Sequence, residues 1–490
     1  MEKRIVGIET EFGCMVQPEA GMSPEDAVDR VRDHAFYERA LGLLDLHARD
    51  YAFEPMRAGG FLKNGARLYV DAVGSHEEYA TPECCDIIDL VAHDRAGRVL
   101  LAGIVRDMGL QDVISFHSNS IDHFAGHTFG CHENYLVQIE DNAYSEALTA
   151  LIPFLITRQI YAGTGRVGGH RLTRPGSKTN VMTVGEHEVD YVWVSNFYGV
   201  ELDSSVDFQL SQRADHIVKT VSSRVRFNRA IINPKWDSYY SYSNLHRLHI
   251  LFGESNMSEY ACMLKCGATS LALDLVEEGL APTELQIADP LMALRRISRD
   301  PKWRWVVELT NGRTIRAVDL QRAWLAAAKK RCAGAGERTE MVLAEWERTL
   351  NDLEVDPLST ADRLDWSAKY RLYSRFIQET GGSWHDDAMQ SVDLEYHNID
   401  PERGLSYELE RIGDLVRLTT DDQVAAAVEN PPDDTRAFGR AAIIRHLLKT
   451  PGLRYLIDWD AVYIERSRQL ELKNPFSTYA REATRFIKGL

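Results

Sequence analysis

Arg4-Ile5-Val6-Gly7-Ile8-Glu9-Thr10-Glu11-Phe12-Gly13 is the stretch whose reading decides the fold. β-Branched and aromatic residues alternate with polar ones and a glycine closes the run, the pattern of a half-buried strand. Residues two apart on a strand share a face, so Glu9 and Glu11 point the same way. Two carboxylates side by side repel unless a cation sits between them. A solvated edge face is the alternative, and this stretch alone leaves both open.

Further along, Asn64-Gly65 is a strong hairpin-turn signal. After it, Arg67, Tyr69 and Asp71 fall on one strand face and Leu68 and Val70 on the other. One face is thus cationic, phenolic and anionic while its reverse is apolar. The acid-rich segment holding His76, Glu77 and Glu78 follows directly and strengthens the reading of a site. A third segment, Thr128-Phe129-Gly130-Cys131-His132-Glu133-Asn134-Tyr135-Leu136, gathers His, Glu and Asn before an apolar run, although a His-Glu pair is more often structural. Three- and four-residue apolar spacing predicts helices over roughly 144–161, 260–279, 317–331 and 339–354. Cys262 and Cys266 sit on such a helical face with no second pair at zinc-site spacing, and read as buried thiols. Residues 165–206 read as a long loop or added hairpin, and 429–436 as a turn in or beside a small C-terminal unit.

The composition excludes several classes. The chain has 490 residues with 44% hydrophobic and 26% charged, ordinary globular values, and no apolar run of spanning length. The apolar run near the N-terminus is too short for a secretory signal core. Seven cysteines, an odd number spread over the chain, point to a reducing cytoplasm. A net charge of −17 disfavours nonspecific nucleic-acid binding, which requires basic surface. There is no Walker A loop, no strand-linked G-x-G-x-x-G and no G-x-S-x-G elbow. Carboxylates on a sheet face, together with Arg, Tyr and Thr, suit a nucleoside triphosphate held through a divalent metal. Magnesium prefers hard oxygen ligands, and arginine offers phosphate a planar fork.

The blocks G-I-E-T-E-F-G, N-G-A-R-L-Y-V-D, G-S-H-E-E-Y-A-T-P-E-C and G-C-H-E-N-Y-L, in this order, resemble the Pup–protein ligase and depupylase family; Pup is a prokaryotic ubiquitin-like modifier. The resemblance runs through Leu210–His216, Gly253–Glu259 and Asp458-Trp459. It implies an α+β fold similar to glutamine synthetase: a large domain (1–418) with a curved, mostly antiparallel sheet cradle backed by helices, and a small C-terminal domain (419–490). It also implies ATP and Mg2+ as cofactors. Carried over by position, Glu9, Tyr69 and Glu78 bind magnesium, with Glu11 a further ligand. Arg67, Thr81 and Trp459 contact ATP, and Asp71 is the catalytic base.

The implied reaction is phosphorylation of the modifier's C-terminal glutamate side chain, then attack by a target-protein lysine to give an isopeptide bond in the cytoplasm. The opposite activity, hydrolysis of that bond or of a C-terminal glutamine amide, shares the carboxylates. Gly74-Ser75 before His76, Cys131 before His132, Ser255 with Met257-Ser258, and Lys473-Asn474-Pro475-Phe476 are similar to the ligase branch. Four features depart from it: an extra residue between Asp71 and His76, Lys235 where the family has arginine, the length of 165–206, and parts of 297–366 that resemble the depupylase branch as closely. A catalytically silent binding member is the third reading, and the clustered carboxylates count against it. Because such modifiers are acidic, Arg166, Arg171, Arg174, Lys178 and the 224–229 run are candidates for a basic groove, with scattered solvated side chains the alternative of at least equal weight.

Overall fold

In the computed structural model, residues 4–45, 58–71, 76–123, 127–173, 199–223, 229–234, 244–465 and 467–490 are described. The chain forms two compact units of α+β architecture, and each is built from separated stretches. One comprises Met1–Arg4, Asn119–His397 and Gly404–Leu418; the other comprises Ile5–Ser118, Asn398–Arg403 and Thr419–Leu490. The chain passes from one to the other between 418 and 419, where the sequence reading opened a C-terminal unit. Residues 419–490 belong with 5–118.

The unit containing residues 5–118 carries an antiparallel sheet. Strand β1 (Val6–Val16), β2 (Gly42–Leu44), β3 (Gly59–Leu62), β4 (Arg67–Asp71), β5 (His76–Ala80) and β6 (Ile114–His117) are its members. β5 lies between β1 and β4, β3 pairs with β4 and with β2, and β6 pairs with the C-terminal end of β1. The expected turn joins β3 to β4: Gly65 has φ +82°, a conformation that glycine adopts without steric penalty. Asn64 Nδ2 donates to the Ala427 carbonyl at 3.0 Å, and its Oδ1 accepts from the Ala66 amide.

Strand parity sorts the side chains. Phe12, Leu68 and Tyr79 face a core completed by Val28 and Val31 of helix α1 (Pro24–Asp33) and by Leu101 and Ile104 of helix α2 (Ile87–Asp107). α2 crosses the sheet at Gly97, where an added Cβ would lie 2.4 Å from the Tyr79 ring. Asp86 caps α2 by accepting from the Ile88 amide at 2.7 Å; such a cap contributes about 1 kcal/mol. Helix 421–429 packs on α2. Helices 437–449 and 480–488, with the meander 455–457, 461–464 and 468–471, enclose a second core of Ile443, Ile444, Leu447, Val462 and Ile464 that also takes in Phe61 of β3.

In the other unit, strand Cys131–Gln138 pairs antiparallel with Leu245–Ile250, which pairs antiparallel with Ala230–Pro234. Helices Tyr144–Thr157, Glu259–Glu277, Ala317–Cys332 and Glu337–Val355 answer to the four predicted from spacing, with Pro153 inside the first. Strands 170–173 and 199–202 pair as the stem of an added hairpin, and residues 174–198 lie outside the described set. All seven cysteines are free thiols. No helix among the described residues is long and apolar enough to cross a membrane.

Candidate active site

Strand pairing fixes which of the expected residues meet. Glu11 stands opposite Glu78, and Glu78 opposite Tyr69, so one row across β1, β5 and β4 carries two carboxyls and a phenol. In the next row, Ala80 stands between Glu9 and Arg67, and in a third His76 stands opposite Asp71. Glu9, Glu11, Arg67, Tyr69, Asp71, His76 and Glu78 therefore share the face turned away from the apolar core. The two-residue period of the opening strand is borne out along all three strands.

Side-chain geometry binds this face together. Glu11, Asp71 and His76 bring one ligand atom each within 4.8 Å of one another, an arrangement able to hold a metal ion. His76 Nε2 is 3.2 Å from a Glu11 oxygen and 3.7 Å from an Asp71 oxygen. His76 had no assigned role in the sequence reading. Its signal was parity, since 76, 78 and 80 share a face. Tyr69 hydrogen-bonds Glu78, and the Arg67 guanidinium lies 4.0 Å from the centroid of the Tyr69 ring. Arg67 is also 4.0 Å from the buried Asp45 carboxylate.

The electrostatics follow. Burial, then the negative charges of Glu11, Glu9 and Asp71, raise the Glu78 carboxyl well above the ordinary range. Burial, then Glu78 and Glu9, also raise Tyr69, so its phenol stays protonated. A divalent cation among these oxygens would reverse the repulsion that raises Glu78, and hard carboxylate oxygens are what magnesium prefers. On the reverse face Glu77 is fully buried and pushed up to about 8, chiefly by burial, with Arg32 opposing. Neither of its oxygens has a hydrogen-bond partner among the described residues.

Thr81 follows β5, and its Oγ1 accepts the Ile8 amide at 3.0 Å, leaving the hydroxyl proton free to donate. Trp459, in the turn between strands 455–457 and 461–464, meets Phe61 edge to face with centroids 5.0 Å apart. Phe61 pairs in register with Arg67, which brings Trp459 to the row that holds Arg67 and Glu9.

Other expectations resolve differently. Glu133 of the His-Glu-Asn segment is fully buried, forms a two-armed ion pair with Arg158 at 2.6 and 2.9 Å and accepts from Tyr135. Its neighbour His132 meets His249 edge to face at 4.9 Å. Asn256 and Ser258, in the block that resembles the ligase branch, bind the buried Asp365 carboxylate. Arg166, expected in a basic groove, is instead buried, with its guanidinium against the His170 ring. Arg171 is exposed, whereas Arg174, Lys178 and residues 224–228 lie outside the described set, as do Gly74, Ser75 and Lys235.

Comparison with known proteins adds independent findings. A family model described as "Pup-ligase protein" matches residues 4–463. A Pup–protein ligase of Nocardioides sp. is 34% identical, with the whole of both chains covered. A second, from Kineococcus radiotolerans, is likewise 34% identical over both full lengths. Among solved structures, the ligase PafA in complex with Pup superposes with a TM-score of 0.79 at 29% identity, covering 99% of this chain and 91% of that one. PafA in complex with ADP superposes with a TM-score of 0.74 at 30% identity, over 95% of this chain and 94% of that one.

Proposed function

The chain belongs to the Pup-ligase family, and on that premise we propose that it is an ATP- and magnesium-dependent ligase joining a Pup-type modifier to lysines of target proteins. The observation that carries this reading is the shared face of β1, β5 and β4, where Glu9, Glu11, Glu78 and Asp71 gather beside Arg67 and Tyr69. An ordinary solvated face would not bury Glu78 among other carboxylates, where burial first and the charges of Glu11, Glu9 and Asp71 second raise it.

Glu9, Glu11 and Glu78 would hold magnesium, with Tyr69 adding its neutral oxygen, while Tyr69 hydrogen-bonds Glu78. Bound there, magnesium would offset negative charge on the transferring phosphoryl group. Arg67 presents its planar fork to phosphate oxygens. Thr81 donates its free hydroxyl proton to the nucleotide, and the half-buried Trp459 offers an aromatic surface to it.

The reaction has two stages. The side-chain carboxylate of the modifier's C-terminal glutamate attacks the γ-phosphorus of ATP, releasing ADP and forming a γ-glutamyl phosphate. A target lysine then displaces phosphate to leave an amide. Lysine has a reference pKa of about 10.4 and is mostly protonated near neutrality, so its proton must be removed. Asp71, at the end of β4 with its side chain 27% exposed, would accept it; Glu11 at 12% and the buried Glu78 are less open to an incoming lysine. The seven free thiols support action in the cytoplasm.

The test is incubation with ATP, magnesium, a modifier ending in glutamate and a lysine-bearing protein, read by intact mass. The reading requires a new species at the summed mass less one water, with ADP released. Modifier release from a conjugate without ATP turnover would assign the chain to the hydrolytic branch instead.

A further inference from the structure

Arg440 lies on helix 437–449, far in sequence from the site residues of β1, β4 and β5 though near Trp459, and is fully buried. Its guanidinium touches three separate elements. Nη1 donates to the Trp459 carbonyl at 2.8 Å, Nη2 donates to the Gly65 carbonyl of the β3–β4 turn at 2.8 Å, and both donate to the Glu83 carboxylate at 3.1 and 2.5 Å. The same group lies over the Trp459 ring at 4.8 Å and the Phe61 ring at 5.2 Å. Arg436, one helical turn away, adds a bond from Nε to Glu83 at 2.7 Å.

These elements are the ones that carry the nucleotide contacts. Glu83 follows Thr81 by two residues, Phe61 is the register partner of Arg67, and the Gly65 turn leads straight into Arg67. Trp459 is only half-buried, and its own amide donates to Asp458 at 2.6 Å. One planar fork therefore spans Trp459, the strand that bears Arg67 and the segment that bears Thr81. A fork with several fixed donors can hold three acceptors in one geometry; an ammonium cannot.

We propose that Arg440 is a positioning residue for nucleotide binding: it fixes Trp459 against the β3–β4 hairpin and so sets affinity for ATP without touching the reacting atoms. The proposal rests on the reading above that Trp459 contacts the nucleotide. Its consequence is a split between binding and turnover, since geometry at the reacting carboxylates is left alone.

The experiment measures KM for ATP and kcat for ligation in wild type, Arg440→Lys, Trp459→Ala and the double variant. Arg440→Lys is expected to raise KM for ATP about tenfold and change kcat less than about twofold. In the Trp459→Ala background it is expected to add nothing, because its target is gone. An equal rise in both backgrounds, or an unchanged KM in Arg440→Lys, overturns the proposal. If Trp459→Ala itself leaves KM for ATP unchanged, the nucleotide assignment of Trp459 fails and takes this proposal with it, an outcome distinct from failure of Arg440 alone. Should Arg440→Lys not fold, Glu83→Gln, which keeps Arg440 but weakens its anchor, is expected to raise KM in the same sense, and no rise overturns the proposal.

Discussion

Two buried glutamates, Glu133 and Glu78, both lie on strands, and their surroundings push them in opposite directions. Glu133 is buried, yet Arg158 and Lys265, together with hydrogen bonds from Arg158 and Tyr135, bring its carboxyl below the usual range. Asp393 is held down in the same way by Lys369 and His123 against the effect of burial. Glu78 is raised by burial, and its neighbouring carboxylates Glu11, Glu9 and Asp71 push the same way. The first arrangement is a completed ion pair whose function is to hold the fold. The second is a set of oxygens that costs stability until a cation joins it, which is how a binding site differs from a structural network of the same residue types.

That contrast can be broken in order of expected effect. Asp71→Asn should lower ligation by about 10² to 10⁴-fold, the usual share of a general base, while nucleotide still binds; conjugate yield by intact mass and ADP titration check the two halves. Loss of nucleotide binding in that variant would instead make Asp71 part of the binding set. Removing one partner of the completed pair, as in Glu133→Ala, should destabilise the fold by about 3–5 kcal/mol, because a buried guanidinium is left without its anion; chemical denaturation measures it. Glu78→Gln should do the reverse: stability equal to or slightly above wild type by about 1 kcal/mol without metal, together with a large loss of magnesium-dependent activity. A strongly destabilised Glu78→Gln would erase the distinction drawn between the two glutamates.

Glu83 offers the most specific effect. Burial alone would raise it, but Arg440 and Arg436 bring it down to about 2. A carboxyl whose folded value lies below its unfolded value of about 4.5 stabilises above that unfolded value. The contribution is lost as pH falls from about 4.5 towards 2. Thermal melts across that range should show a steeper acid decline in wild type than in Glu83→Gln; parallel curves would contradict it.

How much of this was legible in the sequence depends on what kind of signal each residue leaves. The site face was readable because strand parity is a local rule: once β1 and β4 are recognised, Glu9, Glu11, Arg67, Tyr69 and Asp71 follow. α2 left no such trace. Fifteen of its 21 residues are buried, including His93, Asp94, Arg95 and Arg98, so no single apolar stripe stands out. The turn at 429–436 was visible, and helices 421–429 and 437–449 flank it. Arg440 was not, because its partner Glu83 is 357 positions away and nothing local marks a buried arginine. Arg166 misled for the same reason: charge suggests surface, and only packing against His170 reveals burial. Trp459 entered only as a nucleotide contact implied by family resemblance; its place beside Phe61 was not legible, since no spacing rule connects residues so far apart.

The most direct test of the central claim is ADP affinity measured by calorimetry with and without magnesium, in wild type and in the Glu9→Gln, Glu78→Gln double variant. The account predicts that magnesium tightens binding in wild type by at least about tenfold, or 1.4 kcal/mol, and leaves the double variant unmoved. An equal magnesium effect in both proteins would place the cation elsewhere and contradict the assignment of this sheet face.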